Sequence, residues 1–275
     1  MITLKKLKRL PLYLCLSIGC VLALMPFVWM IATSLKSGGE TFAVPPTFVP
    51  SIFRWENYVQ VAREIPLGRY IFNSLAVTLS ITAATLVSTV MAAFAFSRLE
   101  FPGRDLIFSV TVATMVIPGE ALLIPNYVTI SQMGLINSYT ALILPWTVSA
   151  FSIFLLRQYF LSVPSSLYNA AKVDGCSDLR FLVQIMVPVA KPALVTVGLL
   201  RVINSWNEFL WPLIVTDLPH MRTLPVALSV FTNEAGIRYH LMMATSTVIV
   251  APVIVLYLLL QRNFIRAIGG SGIKG

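Results

Sequence analysis

The sequence predicts an all-α, polytopic membrane protein with about six transmembrane helices and both termini on the inner side. Three observations carry this. Of the 275 residues, 57% are apolar and 11% charged, whereas a water-soluble domain carries about 25% charged residues; the mean hydropathy is +0.83. Charge-poor stretches recur at the length needed to cross a bilayer core of ~30 Å, about 20 helical residues. The 20 Lys and Arg against 11 Asp and Glu fall unevenly between alternate connections, as basic inner loops require. This composition argues against a soluble enzyme, a disordered tail and a nucleic-acid-binding domain, although the formal charge is +9.

The first charge-free stretch, 10–35, is too long for a signal-peptide core, and no small-residue cleavage pattern follows it. It reads as a retained span near 12–33. The second span, near 70–97, is the cleanest. Residues 106–156 are apolar apart from Glu120 but too long for one span. Asn126, Gln132-Met133-Gly134 and Asn137-Ser138 read as a short connection between spans near 105–125 and 139–157. The fifth span, near 192–215, carries Arg201 and Glu208, and the sixth lies near 241–261. With the N-terminus inside, Lys5, Lys6, Lys8, Arg9, Arg98, Arg104, Arg157, Lys172, Arg180, Lys191, Arg262, Arg266 and Lys274 are internal. Those 13 stand against six outside, Lys36, Arg54, Arg63, Arg69, Arg222 and Arg238. Only the outer loops 34–69 and 216–239 and the inner loop 158–190 remain. With no internal repeat, 1–275 reads as one transmembrane domain.

Chemistry-bearing motifs are absent. There is no G-x-x-x-x-G-K-[ST] phosphate loop, no H-E-x-x-H and no nucleophile elbow, so no catalytic residue and no ATP hydrolysis by this chain alone are expected. His220 and His240 read as solvated or interfacial loop residues. Cys15, Cys20 and Cys176 have no metal or disulfide spacing. Transport or assembly is what remains.

In the inner loop, Pro164-Ser165 is a helix-start signal. Leu167, Ala170, Ala171 and Val173 give a short helix with a small, apolar face, which permits close approach by another body. Asp174-Gly175 ends it, glycine supplying the left-handed conformation of a C-cap. A second helix runs to Pro188, before Pro192. An ordinary interfacial loop accounts for the spacing equally well.

The order of residues goes further. Asn169-Ala170-Ala171, Asp174-Gly175, Ile185, Pro188 and Pro192 resemble the E-A-A-x-x-x-G signature of permease subunits of binding-protein-dependent ABC importers. So do Trp55-Glu56-Asn57-Tyr58, Phe72-Asn73-Ser74-Leu75, the stretch from Ser97 to Arg104, Ile117-Pro118-Gly119-Glu120 with Pro125, and the stretch from Trp206 to Leu213. Together these are similar to the carbohydrate-uptake branch, and within it to the maltose-type and glycerol-3-phosphate-type second permease. The resemblance implies a type I ABC importer permease fold in a bacterial cytoplasmic (inner) membrane. It implies a homologous second permease, two ATPase subunits that bind ATP and Mg, an extracytoplasmic solute-binding protein and membrane lipid as partners. No cofactor or metal is expected on this chain and no nucleic acid is involved. It makes Asn169, Ala170, Ala171, Asp174, Gly175 and Pro188 the ATPase-coupling residues. Asn169 stands where the family often has Glu, so an ion pair to the ATPase is lost while hydrogen bonding is kept.

Ionisable groups at membrane depth are costly and mark candidate functional sites. Arg201, Asn204 and Glu208 follow an i, i+3, i+7 spacing that puts them on one helix face, with Asn207 beside them. Two helical turns separate Arg201 from Glu208, so each is expected to find partners other than the other. That face reads either as glue between helices or subunits, or as a cavity wall touching solute, and Glu120 joins it as a vestibule candidate or a helix break. Trp206 and Trp211 could stack on a sugar ring or belong to an interfacial belt. Asn73 and Ser74 read as helix caps. An ion-coupled secondary transporter is the alternative, but the internal symmetry and charged broken helices of that class are not found; a scaffolding protein is a third reading.

Overall fold

In the computed structural model, residues 10–233 and 236–269 are described; Lys5, Lys6, Lys8, Arg9 and Lys274, expected on the inner side, lie outside them. Two compact units are formed. One comprises the chain up to Leu67 with Ala227–Pro252, and the other Gly68–Val226 with the chain from Val253 onward.

In the first unit, α1 (Leu10–Ser34) has no charged residue, and residues 11–28 are all exposed. A helix apolar all round is one that lipid can cover. Its end is closed from α2 (Glu56–Glu64): Asn57 Nδ2 donates to Ser34 O at 2.8 Å and Lys36 O at 2.9 Å. Ser34 Oγ and Tyr58 Oη share a hydrogen bond of 2.7 Å. The Trp55-Glu56-Asn57-Tyr58 stretch is thus a C-terminal clamp on α1, satisfying carbonyls that a helix end leaves open. Lys36, buried, donates to Thr47 O and lies 4.5 Å from the Trp29 ring centroid. A short antiparallel hairpin follows α12 (Ala227–Val230), pairing β1 (Thr232–Asn233) with β2 (Gly236–Ile237). Just beyond β2, Arg238 pairs with Glu64 at 2.7 Å.

In the second unit, α3 (Leu67–Arg98) is the organising rod. Its buried stripe is small and polar, with Asn73, Ser74, Thr78, Thr82, Thr85 and Thr89 among Tyr70, Val77, Ile81 and Phe94. Phe72, Leu75, Leu79, Val87 and Met91 are exposed. This reverses the soluble pattern, because inside a bilayer small residues let helices approach while apolar ones meet lipid. Two packed clusters hang on this rod. One joins Val77 and Ile81 to Ile130, Leu142, Trp211 and Val215; the other joins Ala93 and Phe94 to Leu156, Phe160, Phe181, Met186 and Ala190.

The third, fourth and fifth spans are broken. Among the described residues, three helices are long and apolar enough to cross a membrane, or up to six if each bent pair counts as one span. The expected span 105–125 is instead α4 (Arg104–Ala113), extended by a tight turn to Val116, followed after a 97° bend by Gly119–Gln132, which contains α5 (Leu123–Gln132). Pro118 has no N–H to donate and its ring needs the space of the carbonyl four residues back. Asn126 is therefore helical rather than connecting, and the turn runs from Met133 to Ser138, with Gly134 at φ +69° and Asn137 at φ +60°. The fourth span is α6 (Tyr139–Ile143) and α7 (Ala150–Ser162), the segments Tyr139–Trp146 and Ala150–Ser162 being bent by 44° at the break over 147–149. The inner-loop helices are α8 (Ser165–Val173) and α9 (Asp178–Val189), the latter with a wide turn over Leu182–Met186. An 80° bend leads into α10 (Lys191–Trp206). The fifth span, expected continuous to 215, stops there. The Pro212 ring excludes a helical carbonyl at Glu208, and α11 (Leu210–Val215) starts afresh. The last helix, α13, covers Tyr239–Gly269.

The candidate coupling loop and a membrane cavity

Helix α8 ends as the Asp174-Gly175 pair predicts. Gly175 has φ +75°, Gly175 N donates to Lys172 O at 3.0 Å and Cys176 N to Ala171 O at 2.9 Å. This is the paired closure of a Schellman motif. Ser177 then caps α9, its Oγ accepting from Arg180 N. Across the turn, Asp178 Oδ1 accepts from Tyr168 Oη at 2.5 Å and meets Lys172 Nζ at 2.7 Å. The hydrogen bonds from Lys172 and then Tyr168 hold the Asp178 carboxyl below its ordinary value. Its partnership with Asp178 holds Lys172 above its own. Burial first, then Asp178, pushes the Tyr168 phenol up.

The two alanines separate. Ala170 is exposed with Asn169, Asp174 and Gly175, whereas Ala171 is buried among Phe94, Phe160 and Phe181. The close approach that Ala171 permits is thus to its own chain, a correction to the expectation that both alanines face another body. Pro188 lies in the last turn of α9. Beneath the loop, Arg98 at the end of α3 donates through Nη2 to Phe160 O at 2.7 Å and Val163 O at 2.5 Å. A cation there completes carbonyls at the C-terminus of α7, where the helix dipole favours positive charge.

A cavity of about 200 Å³ in the second unit collects Arg201, Asn204, Glu208, Trp146 and Trp211. Because α10 ends at Trp206, Arg201 and Glu208 do not share the single helix face that their spacing implied; the turn at 207–209 brings Glu208 round instead. Arg201 Nη2 donates to Trp146 O, and its guanidinium lies 5.8 Å from that ring centroid. Glu208 Oε1 accepts from Trp211 N at 3.2 Å. Each has found a partner other than the other, as expected. The Trp211 indole donates to Ala141 O at 2.9 Å and stands edge-on to Trp146 at 6.3 Å. Glu120 and Asn207 are exposed and do not line this cavity; Asn207 donates to Ile203 O.

The family model described as the binding-protein-dependent transport system inner membrane component matches residues 84–270. This chain belongs to that family. The permease is 35% identical to the sulfoquinovosyl glycerol transport system permease protein SmoH of Agrobacterium fabrum over 265 residues, 96% of this chain and 93% of that protein. It is 33% identical to the arabinooligosaccharides transport system permease protein AraQ of Bacillus subtilis, covering 97% and 96%. It is also 31% identical to the sn-glycerol-3-phosphate transport system permease protein UgpE of Yersinia pestis, covering 94% and 95%. A crystal structure of a bacterial ABC transporter involved in import of the acidic polysaccharide alginate has a similar chain, with TM-score 0.81, 25% identity and coverage of 94% and 96%. The permease is therefore a membrane component of a transport system rather than an enzyme, and these relatives lend no support to an ion-coupled carrier.

Within the permease, several residues that the sequence reading passed over carry the geometry. Asn73 and Ser74 are not caps, since α3 begins at Leu67. Asn73 Nδ2 donates to His220 O and Arg222 O, both at 2.9 Å, its Oδ1 accepts from Tyr139 Oη at 2.7 Å, and Ser74 Oγ accepts from Leu224 N at 2.8 Å. They pin the 216–226 segment to the rod. Tyr168 and Asp178 were visible only as loop polarity, although Tyr168 and Lys172 stand at i, i+4. Trp146, between Pro145 and a run of small residues, had the signal of a break but not of a cavity wall.

Proposed function

We propose that this permease pairs with a homologous, non-identical permease, two ATPase subunits and an extracytoplasmic solute-binding protein, and imports a sugar or sugar-like solute by alternating access. The observation that carries this is similarity over nine-tenths or more of both chains to permeases named for a sulfoquinovosyl glycerol, an arabinooligosaccharide and a glycerol phosphate. In this reading all of 1–275 is one transmembrane domain, crossed six times, with the N-terminus, the C-terminus and the 158–190 loop on the cytoplasmic side. ATP and Mg reside on the partner ATPases; this chain holds no cofactor.

The exposed side of α8 and its cap, with Leu167, Asn169, Ala170, Val173, Asp174 and Gly175, is the surface offered to the ATPase. A protruding helix pinned through Tyr168, Asp178 and Arg98 transmits a push instead of folding away under it. Pro188 shapes the return into α10, while Glu120 and Asn207 face the second permease. The test is purification of the tagged chain from its native membrane. The ATPase and a second permease should copurify, and radiolabelled sugar uptake should be lost on deletion of this chain. Absence of both partners in a gentle detergent would overturn the reading.

A further inference from the structure

We propose that the 41–53 segment is a lipid anchor: it lies in the headgroup layer of the outer leaflet and ties the outer ends of α1 and α13 to that level. The inference rests on the orientation given in the importer reading above. Its first support is composition. The segment runs for 13 residues without a charge. Phe42, Val44, Phe48, Val49, Ile52 and Phe53 are all exposed, Val44 at 93%, Val49 at 69% and Ile52 at 68%, and Trp55 follows at 64%. Single exposed apolar residues are ordinary, but a run of them marks a surface that something covers.

Local bonds give this run a fixed form. Lys36 Nζ donates to Thr47 O, Ser51 N and Oγ donate to Glu40 Oε1 at 2.9 and 3.0 Å, and Arg54 N donates to Leu35 O at 2.9 Å. They close the segment into a lobe whose polar groups serve its own stem. Two ring contacts then set its level. Phe48 stands edge-on to Trp29 at 5.0 Å, and Phe42 to Tyr239 at 5.4 Å. Trp29 comes five residues before the last residue of α1, Ser34, about 7.5 Å along the axis. Tyr239 is the first residue of α13. Both helices are long and apolar enough to cross a membrane, and Trp and Tyr concentrate at the boundary between lipid and water. The lobe thus folds back along α1 to that boundary.

Backbone chemistry limits the depth. A non-helical segment facing hydrocarbon has no way to satisfy its peptide groups, so the lobe belongs in the headgroup layer, with its side chains reaching the acyl boundary, ~5–10 Å in. Pro45, Pro46 and Pro50 help, since they have no N–H to satisfy. The solute-binding protein fits this surface less well. It must leave in every cycle, and interfaces that separate in water are only about as apolar as the rest of a protein surface. Continuity favours lipid: residues 11–28 of α1, uncharged and all exposed, lead directly into Trp29.

The test uses the complete transporter in liposomes of phosphatidylethanolamine and phosphatidylglycerol. A nitroxide is placed on Val49→Cys or Ile52→Cys, with the native Cys15, Cys20 and Cys176 changed to serine and Arg63→Cys on α2 as the control. Collision rates with lipid-soluble oxygen and with a water-soluble nickel chelate are measured by power-saturation electron paramagnetic resonance. The oxygen-to-nickel ratio should be at least threefold higher at 49 and 52 than at 63, and an excess of the solute-binding protein should leave it unchanged. A ratio equal to the control puts the lobe in water. Low rates with both reagents, before or after the binding protein is added, put it under protein. Either result overturns the anchor. In right-side-out vesicles, an external membrane-impermeant maleimide should label Arg63→Cys; labelling only after permeabilisation overturns the orientation instead, which keeps the two failures apart.

Discussion

Gly175 holds a backbone conformation that side chains with a Cβ resist. At φ +75° an added Cβ would meet nothing within 4 Å, so the cost of substitution is conformational, about 1–2 kcal/mol, and larger for a β-branched residue. Gly175→Val should therefore unwind the α8 cap and lower solute uptake severalfold while the permease pair still assembles; uptake with the ATPase-to-permease ratio measured in parallel checks it. Asn169→Glu, on the exposed side of the same helix, should leave uptake unchanged. The Lys172–Asp178 contact has a definite pH window. Asp178 titrates below its ordinary value, so its contribution is present above the unfolded carboxylate value and is lost as pH falls through the lowered folded one. Lys172 titrates above its ordinary value, so its contribution is present below the unfolded value and is lost as pH rises through the raised folded one. Limited proteolysis of the loop should thus be flat from about pH 6 to 9, between the ordinary carboxylate and lysine ranges, and rise only in stronger acid or base.

Helix breaks inside the membrane are the feature that the elements must manage. Carbonyls released at 146–147 are met by Thr85 Oγ1, at 3.0 Å from Trp146 O, and Ser88 Oγ, at 2.8 Å from Thr147 O. A broken helix at depth persists only when neighbours satisfy the freed groups, and α3 supplies them. Thr85→Val keeps the shape and deletes one donor. It should destabilise the purified complex by about 1 kcal/mol, seen as a lower midpoint in thermal unfolding. Asn73→Ala removes three part-buried hydrogen bonds at once, and the loss should reach about 3 kcal/mol with faster backbone exchange in the 216–226 segment.

For the whole molecule, energy enters elsewhere. No phosphate loop exists in the sequence and the family is a transport component, so the purified chain by itself should show no ATP hydrolysis above an empty-detergent control. A robust rate from the isolated polypeptide would contradict its place as the membrane part of the transporter. The uncovered apolar surface of α1 fits the same placement. A helix of that kind is stable in lipid or against another membrane subunit and would be an aggregation site in water.

The apolar length of each stretch, the basic bias, the loop signature and the glycine cap were readable in the linear sequence because each depends on neighbouring residues: hydropathy is additive along a segment, and a cap is decided within six residues. The same locality let the Pro118-Gly119-Glu120 stretch warn of a break, although a window of 20 apolar residues hides it. Other features needed the folded chain. Asn73 looks like a cap until α3 is seen to begin two turns earlier, and what it holds lies about 150 residues away. Arg201 and Glu208 share a cavity through a turn that their helical spacing did not foresee. Ala171 faces inward and Ala170 outward because Phe94, Phe160 and Phe181 arrive from three other helices. Burial and the lining of the cavity are properties of segments distant in sequence, and no local pattern encodes them.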